Sequence, residues 1–506
     1  MPRPLTRAES TGYAETSRHA DVVRFVDALA GDPRLHRADF GASPEGRTLP
    51  LLILSTRGVR SAEDARRAGL PVVLVLCGIH AGEVEGKEAA LMLVRDLMAG
   101  ADHGLLDALT LLVVPLFNPD GNDLIDPRNR ALDLAHFTGQ IGPAGGVGTR
   151  TNAAGINLNR DYMRQEAAEM RLLQARVCQP WAPDLTIDCH STNGSVHRFA
   201  LTYDTAHTVE SGRPEPIALV RDEILPEVTR RVRAASGRET FFYGNFIADE
   251  GGMGEGWMTY THHPRFGSNY RGLTGRLDIL FEAYSYLPFE ERVATTYELL
   301  RETLRVAAER GADIRATVDA SAVPRSHIAV RYRLEPTGRP ARILTRAPRA
   351  LDGAPDEVEI PHLAHFAGTE VVARPWAYAV PPEIGLHLAR HGLATRVLDR
   401  DTAAAVEIAV VDGVAGEGSR RILEASRAGE VEVLAHLEAA EIAIPAGTHL
   451  VQTDQPLGAI AVYLCEARSD DGLVACGLIA PPAAGARWPA IRVAAPLPGL
   501  TPSGAA

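Results

Sequence analysis

Three apolar segments of this chain each run out at a residue that can hold a metal or move a proton. PVVLVLCGIHAGE leads into His80 and Glu83, PDLTIDCHST into His190, and LDILFEAYSY into Glu282. Two histidines and one glutamate are a donor set for hydrolytic zinc, which takes three protein ligands and leaves one position for water. His80 and Glu83 are three residues apart, with Glu83 opening a helix, so both side chains reach one point. The tetrapeptide HAGE alone is a weak signal, since such spacings arise by chance. It gains weight from His190 at the end of a second buried strand, because open α/β sheets bind ligands beyond the carboxyl ends of their strands. Glu282 then supplies the general base that the activated water needs, and a carboxylate at the end of an apolar strand is costly without a role. Asp188 is read as pointing to the opposite face of its strand from His190, in a structural or supporting role.

The elements that must position these residues alternate in type. Helical patterns at ADVVRFVDALA, EGKEAALMLVRDLM, AAEMRLLQARV and ERVATTYELLRETLRVAAERG alternate with apolar runs at LPLLILS, PVVLVLC, LTLLVVPLF and LTIDC, followed by FFYGNF and LDILFEAY. Continuous apolar runs suit strands buried on both faces. The expected fold is α/β, a mixed and largely parallel sheet flanked by helices. A chain of 506 residues exceeds one ordinary core, so two domains are expected, at 1–312 and 313–506. Past Gly311 the texture changes to short runs broken by Pro and Gly: SHIAVRYRLE, ARILTRA, VEIAVVDG and AIAVYLCEA. These predict a smaller β-rich C-terminal domain with one helix at PPEIGLHLARHG, shaping access or assembly rather than supplying catalytic groups. The tail PLPGLTPSGAA reads as flexible.

Several motifs in register across the first three hundred residues resemble the M14 zinc carboxypeptidases of the carboxypeptidase A type, in particular large bacterial members with an extra C-terminal domain. FGASPEGRTLPLLIL is similar to that family's first strand pair, HAGE to its His-x-x-Glu, PLFNPDGND to its Asn-Pro-Asp-Gly turn, GINLNRDY to its Asn-Arg pair, DCHST to the segment of the third ligand and ILFEAY to that of the catalytic Glu. The resemblance implies one zinc ion per chain on His80, Glu83 and His190. It also implies that Asn159 and Arg160 bind the substrate's terminal carboxylate and that Arg150 polarises the scissile carbonyl. An arginine fork suits a carboxylate in an otherwise acidic protein. The family's active-site tyrosine is either Tyr260 or Tyr270, with Tyr270 preferred. Arg128, Arg130 and Arg164 are read as solvated surface charges. Where pancreatic-type members carry an arginine between the two ligands, this chain has Gly82, so one clamp is missing. Arg265, Arg271 and Arg276, flanking the strand of Glu282, suggest that an anionic substrate side chain is accepted.

Bulk properties narrow the alternatives. A formal charge of −12, with Lys87 the sole lysine among 52 basic residues, disfavours nucleic acid and anionic membranes as partners. The expected partner is a peptide or small amide with a free carboxylate, with oligomerisation possible. Mean hydropathy of −0.06 and the lack of a long apolar run lead to the expectation of a cytoplasmic enzyme. Five scattered cysteines argue for free thiols rather than a disulfide framework. No G-x-S-x-G elbow supports a serine hydrolase, and GPAGGVG lacks the strand and helix of a phosphate loop. A metal-dependent deacylase of N-acyl amino acids keeps the same His, Glu, His set and is the alternative reading. An inactive binding module is disfavoured because ligands and base are all present.

Overall fold

The computed structural model describes residues 3–247, 255–415 and 431–497, so most of the expected flexible tail lies outside the described residues. Its first body is a mixed eight-stranded sheet wrapped by helices. Strands β1 (Leu35–Ala42), β2 (Thr48–Leu54), β3 (Val72–Cys77), β4 (Thr110–Val114), β5 (Leu185–Thr192), β6 (Leu201–Asp204) and β7 (Thr240–Phe242) enter it in chain order. Two short strands, β8 (Asn245–Ile247) and β9 (Gly256–Met258), leave it, and β10 (Leu277–Tyr284) returns to it, giving the order β1-β2-β4-β3-β5-β10-β6-β7.

The central strands show why their sequence is apolar without alternation. Leu74 and Leu76 of β3 face one core while Val73 and Val75 face the other, so every position is buried. β3, β5 and β10 are adjacent and parallel, which brings their carboxyl ends to one edge. In that register Glu282 lies beside His190. Helix Glu85–Met98 crosses directly from this edge and presses on β5. A Cβ at Gly86 would sit 2.5 Å from that of Cys189, so a glycine is needed where the helix meets the strand.

Beyond residue 313 the chain is β-rich, as expected, but packed into the first body. β11 (His327–Ala347) and β12 (Ala354–Ala373) form one long antiparallel hairpin, so SHIAVRYRLE and ARILTRA belong to a single strand with irregular register around Pro336. β12 pairs with β9, and β9 with β8, making a four-stranded sheet that spans the expected boundary. An antiparallel six-stranded sheet follows, from β13 (Ala377–Val380), β14 (Arg396–Val397), β15 (Thr402–Ala415), β16 (Glu432–Ile444), β17 (His449–Gln452) and β18 (Ile491–Val493). The expected helix is present at Pro382–Arg390. AIAVYLCEA is a correction: it is helical at Gly458–Cys465, and every residue of that helix is buried. A helix buried all round has no polar face, so its sequence cannot be told from a buried strand. One continuous core joins Leu74, Leu158 and Tyr270 to Tyr378, Ile384 and Trp488.

Candidate functional site

The edge formed by β3, β5 and β10 opens into a cavity of about 1030 Å³. Its floor carries the residues singled out by the strand-end pattern: His80, Glu83, His190 and Glu282 all line it. The NPDG segment braces the loop that bears His80. Asn118 donates from its backbone to the Gly78 carbonyl at 3.1 Å and accepts from the Gly121 N–H at 3.0 Å. Asp120, from the same turn, accepts hydrogen bonds from Ser43 Oγ at 2.6 Å and Arg47 at 2.7 Å, tying the β1–β2 hairpin to it.

Each histidine is anchored on one nitrogen and presents the other. Asn157 Oδ1 accepts from the Asn159 N–H at 3.0 Å, which fixes it as the oxygen, and it lies 3.1 Å from His80 Nε2. His80 Nε2 therefore carries the proton, and Nδ1 offers a lone pair. His190 Nε2 lies 3.2 Å from Asp188 Oδ1, leaving its Nδ1 on the cavity side. The two Nδ1 atoms are 3.2 Å apart, and Glu83 approaches them with Oε1 3.1 Å from His80 and Oε2 3.0 Å from His190. Three acceptors converging at these distances in a buried place repel unless a cation sits among them, and two imidazole nitrogens with one carboxylate suit zinc. The donor set fits the metal.

The electrostatics treat the two histidines differently. Burial and the Arg150 charge pull His80 down to about 3, keeping it neutral and able to ligate. Burial opposes charge on His190, but Asp188 and Glu83 outweigh it and raise it well above the ordinary value, so its Nδ1 holds a proton toward Glu83 that a metal ion must displace. Glu83 stays ionised despite burial because His80, Arg130 and His190 surround it. Burial pushes Glu282 up to about 8; His190 pulls it down, Glu83 raises it, and Arg150 and Arg130 lower it.

Asp188 does not lie opposite His190. The two are separated by two positions on one strand, and such residues share a face. Asp188 also accepts from Arg271 Nη2 at 2.8 Å. Arg130 is a second correction: only 15% of its side chain is exposed, and it donates to Glu83 Oε1 at 3.1 Å and to Gln140 Oε1 at 2.9 Å. A Cβ on Gly82 would come within 2.8 Å of Arg130 Cδ, so the missing arginine between the ligands leaves the space through which Arg130 passes. The proximity could not be read from a separation of 47 residues through an irregular loop. Arg128 is 90% exposed, as expected. Arg164 pairs with Glu166 at 2.9 Å and is 21% exposed.

Arg150, Asn159 and Arg160 line the cavity. Arg150 Nη1 lies 3.4 Å from Glu83 Oε1, and the Arg160 guanidinium sits 3.6 Å over the Phe266 ring. Asn159 Oδ1 accepts from the Gly267 N–H at 2.9 Å. Tyr260 lines the cavity and donates to the Thr205 carbonyl at 2.7 Å. Tyr270, the preferred tyrosine, does not reach it: the residue is buried against Tyr162, with its hydroxyl 2.8 Å from His391 Nδ1. Its place on helix Gly267–Leu273 turns it into the shared core. Tyr243 lines the cavity instead and was not singled out, because nothing in FFYGNF distinguishes it from a core aromatic. Arg265, Arg271 and Arg276 are not available to a substrate anion: they pair with Asp471, with Asp188 and Asp278, and with Asp184. Leu334 and Phe366 bring the C-terminal hairpin into the cavity wall.

Residues 22–191 match the family model for zinc carboxypeptidase, Peptidase M14. Carboxypeptidase 2 of Trichophyton tonsurans is 23% identical over 527 residues, covering 97% of this chain and 89% of that protein. Carboxypeptidase D of Drosophila melanogaster is 29% identical over 189 residues, 35% of this chain and 12% of that protein. Among solved structures, a metallo-carboxypeptidase from Burkholderia cenocepacia is similar with a TM-score of 0.40 at 19% identity, over 57% of this chain and 68% of that one. A metallo-carboxypeptidase from Pseudomonas aeruginosa has a TM-score of 0.41 at 17% identity, over 58% of this chain and 69% of that one. Residues 22–191 are thus a domain of the M14 zinc carboxypeptidase family, and the chain that carries it is a metallocarboxypeptidase.

Proposed function

We propose that this enzyme removes a C-terminal residue from a peptide or small amide, using one zinc ion held by His80, Glu83 and His190 with Glu282 as general base. The observation that carries the reading is the convergence of the two histidine Nδ1 atoms and the Glu83 carboxylate beside Glu282. Zinc, when bound, supplies a Lewis acid that polarises a carbonyl and acidifies water. Glu282 takes a proton from the attacking water and returns it to the leaving amine, a role suited to a carboxylate whose surroundings raise its basicity. Arg150 stabilises the charge that develops on the carbonyl oxygen. Asn159 and Arg160 hold the terminal carboxylate, with Phe266 fixing the plane of the guanidinium. Tyr260 forms part of the substrate wall, and Arg130 orients Glu83.

The test is a matched set: an N-blocked dipeptide, its C-terminal amide, and acetyl and succinyl amino acids. The dipeptide should be cleaved with release of its last residue and the amide much more slowly. Activity should be lost to a chelator and restored by zinc. Faster turnover of the acyl amino acids would replace this reading with the deacylase one.

A further inference from the structure

Two histidines that line the same cavity form, with a nearby aspartate, a second group of metal-ligating side chains that this hydrolysis does not use. His262, His263 and Asp470 are buried, and one ligand atom from each lies within 4.8 Å of the others. His262 Nε2 is 2.7 Å from Asp470 Oδ2, and the two imidazoles stack with centroids 4.3 Å apart. Asp470 is fixed from behind. Its Oδ1 accepts from the Tyr463 hydroxyl at 2.7 Å, and its N–H donates to the Val330 carbonyl at 3.0 Å. Thr261 Oγ1 bonds His263 Nδ1, and both histidines line the cavity.

A proton shared between His262 and Asp470 would satisfy that pair alone. A second proton would place two buried cations side by side, which is costly. A divalent ion serves all three donors at once, and supporting hydrogen bonds to the carboxylate are what ligating groups ordinarily have. We propose that His262, His263 and Asp470 form a second metal site, for a borderline divalent ion such as zinc or cobalt, distinct from the His80, Glu83 and His190 site. The cavity leaves room for further ligands, so the ion offers an open position to a carboxylate, imidazole or thiolate of the substrate. It also adds a fixed positive charge to the cavity that Arg160 lines.

The full chain, stripped of metal and titrated with Co²⁺ and separately with Zn²⁺, tests this by metal content after gel filtration and by cobalt absorbance. Wild type should bind two equivalents. His190→Ala should lose the first and keep the second, while His262→Ala and the isosteric Asp470→Asn should keep the first and lose or weaken the second by at least about tenfold. Saturation of wild type at one equivalent overturns the proposal without any variant, and leaves His262 and Asp470 as an ion pair in the wall. A second equivalent that survives intact in both His262→Ala and Asp470→Asn also overturns it, since the ion then lies elsewhere. Two equivalents retained in His190→Ala would instead count against the first site.

Discussion

The floor and the far wall of the cavity carry comparable chemistry built in different ways. The floor is topological: β3, β5 and β10 are adjacent and parallel, so residues at their ends meet whatever the intervening loops do. The wall is assembled from a loop at His262 and His263 and the hairpin residues Leu334 and Phe366, with Asp470, 208 positions from His262, held against that histidine. A site made by sheet register is fixed by a few strand pairings, while one made by packing depends on the whole C-terminal portion. Substitutions in the floor should therefore change chemistry and the floor metal, and substitutions in the wall should change substrate binding while leaving that metal in place.

The largest effect is expected at Glu282. Glu282→Gln keeps size and polarity but removes the base, and should lower kcat by about 10²–10⁴-fold with the floor metal retained. The pH profile sharpens the same point. Only the carboxylate accepts a proton, so kcat/KM should fall as pH drops through the pKa of Glu282. That pKa is pushed up to about 8 in the protein alone, and a bound dication lowers it by favouring the charged form. The fall should therefore come below pH 8; activity that rises as the pH is lowered would assign the base elsewhere.

Asp188→Asn comes next, removing the charge behind His190 while keeping the shape. Metal affinity at the floor should drop by about 10-fold or more, read by competition with a chromogenic chelator. Gly86→Ala probes the helix that presses on β5: its Cβ would be 2.5 Å from that of Cys189, and overpacking of this kind costs about 1–3 kcal/mol, measurable by chemical denaturation. The smallest change is expected in the wall. Phe366→Ala should raise KM by about tenfold with little change in kcat or floor metal, because an apolar contact is lost without touching the reacting groups. A loss of floor metal in that variant would erase the distinction between the two regions.

What was legible in the sequence follows the same division. His80, Glu83, His190 and Glu282 could be found because each ends an apolar run, and runs buried on both faces are visible without knowing their partners. The NPDG turn and the Asn159–Arg160 pair stood out as motifs. Arg130 was hidden because a loop arginine carries no periodicity, and its approach depends on the space left by Gly82. Tyr270 was misplaced because a short helix decides which side chain faces the core, and sequence spacing does not report that rotation. The helix at Gly458–Cys465 was missed for lack of a polar face, and β11 was split in two by its prolines.

The most direct test of the floor is anomalous diffraction at the zinc edge from crystals of the wild-type enzyme grown with zinc. A peak should lie at about 2.0–2.2 Å from His80 Nδ1, His190 Nδ1 and a Glu83 carboxylate oxygen, with both Nε2 atoms still facing Asn157 and Asp188. No peak among these three residues, or one reached through the Nε2 atoms, would contradict the site.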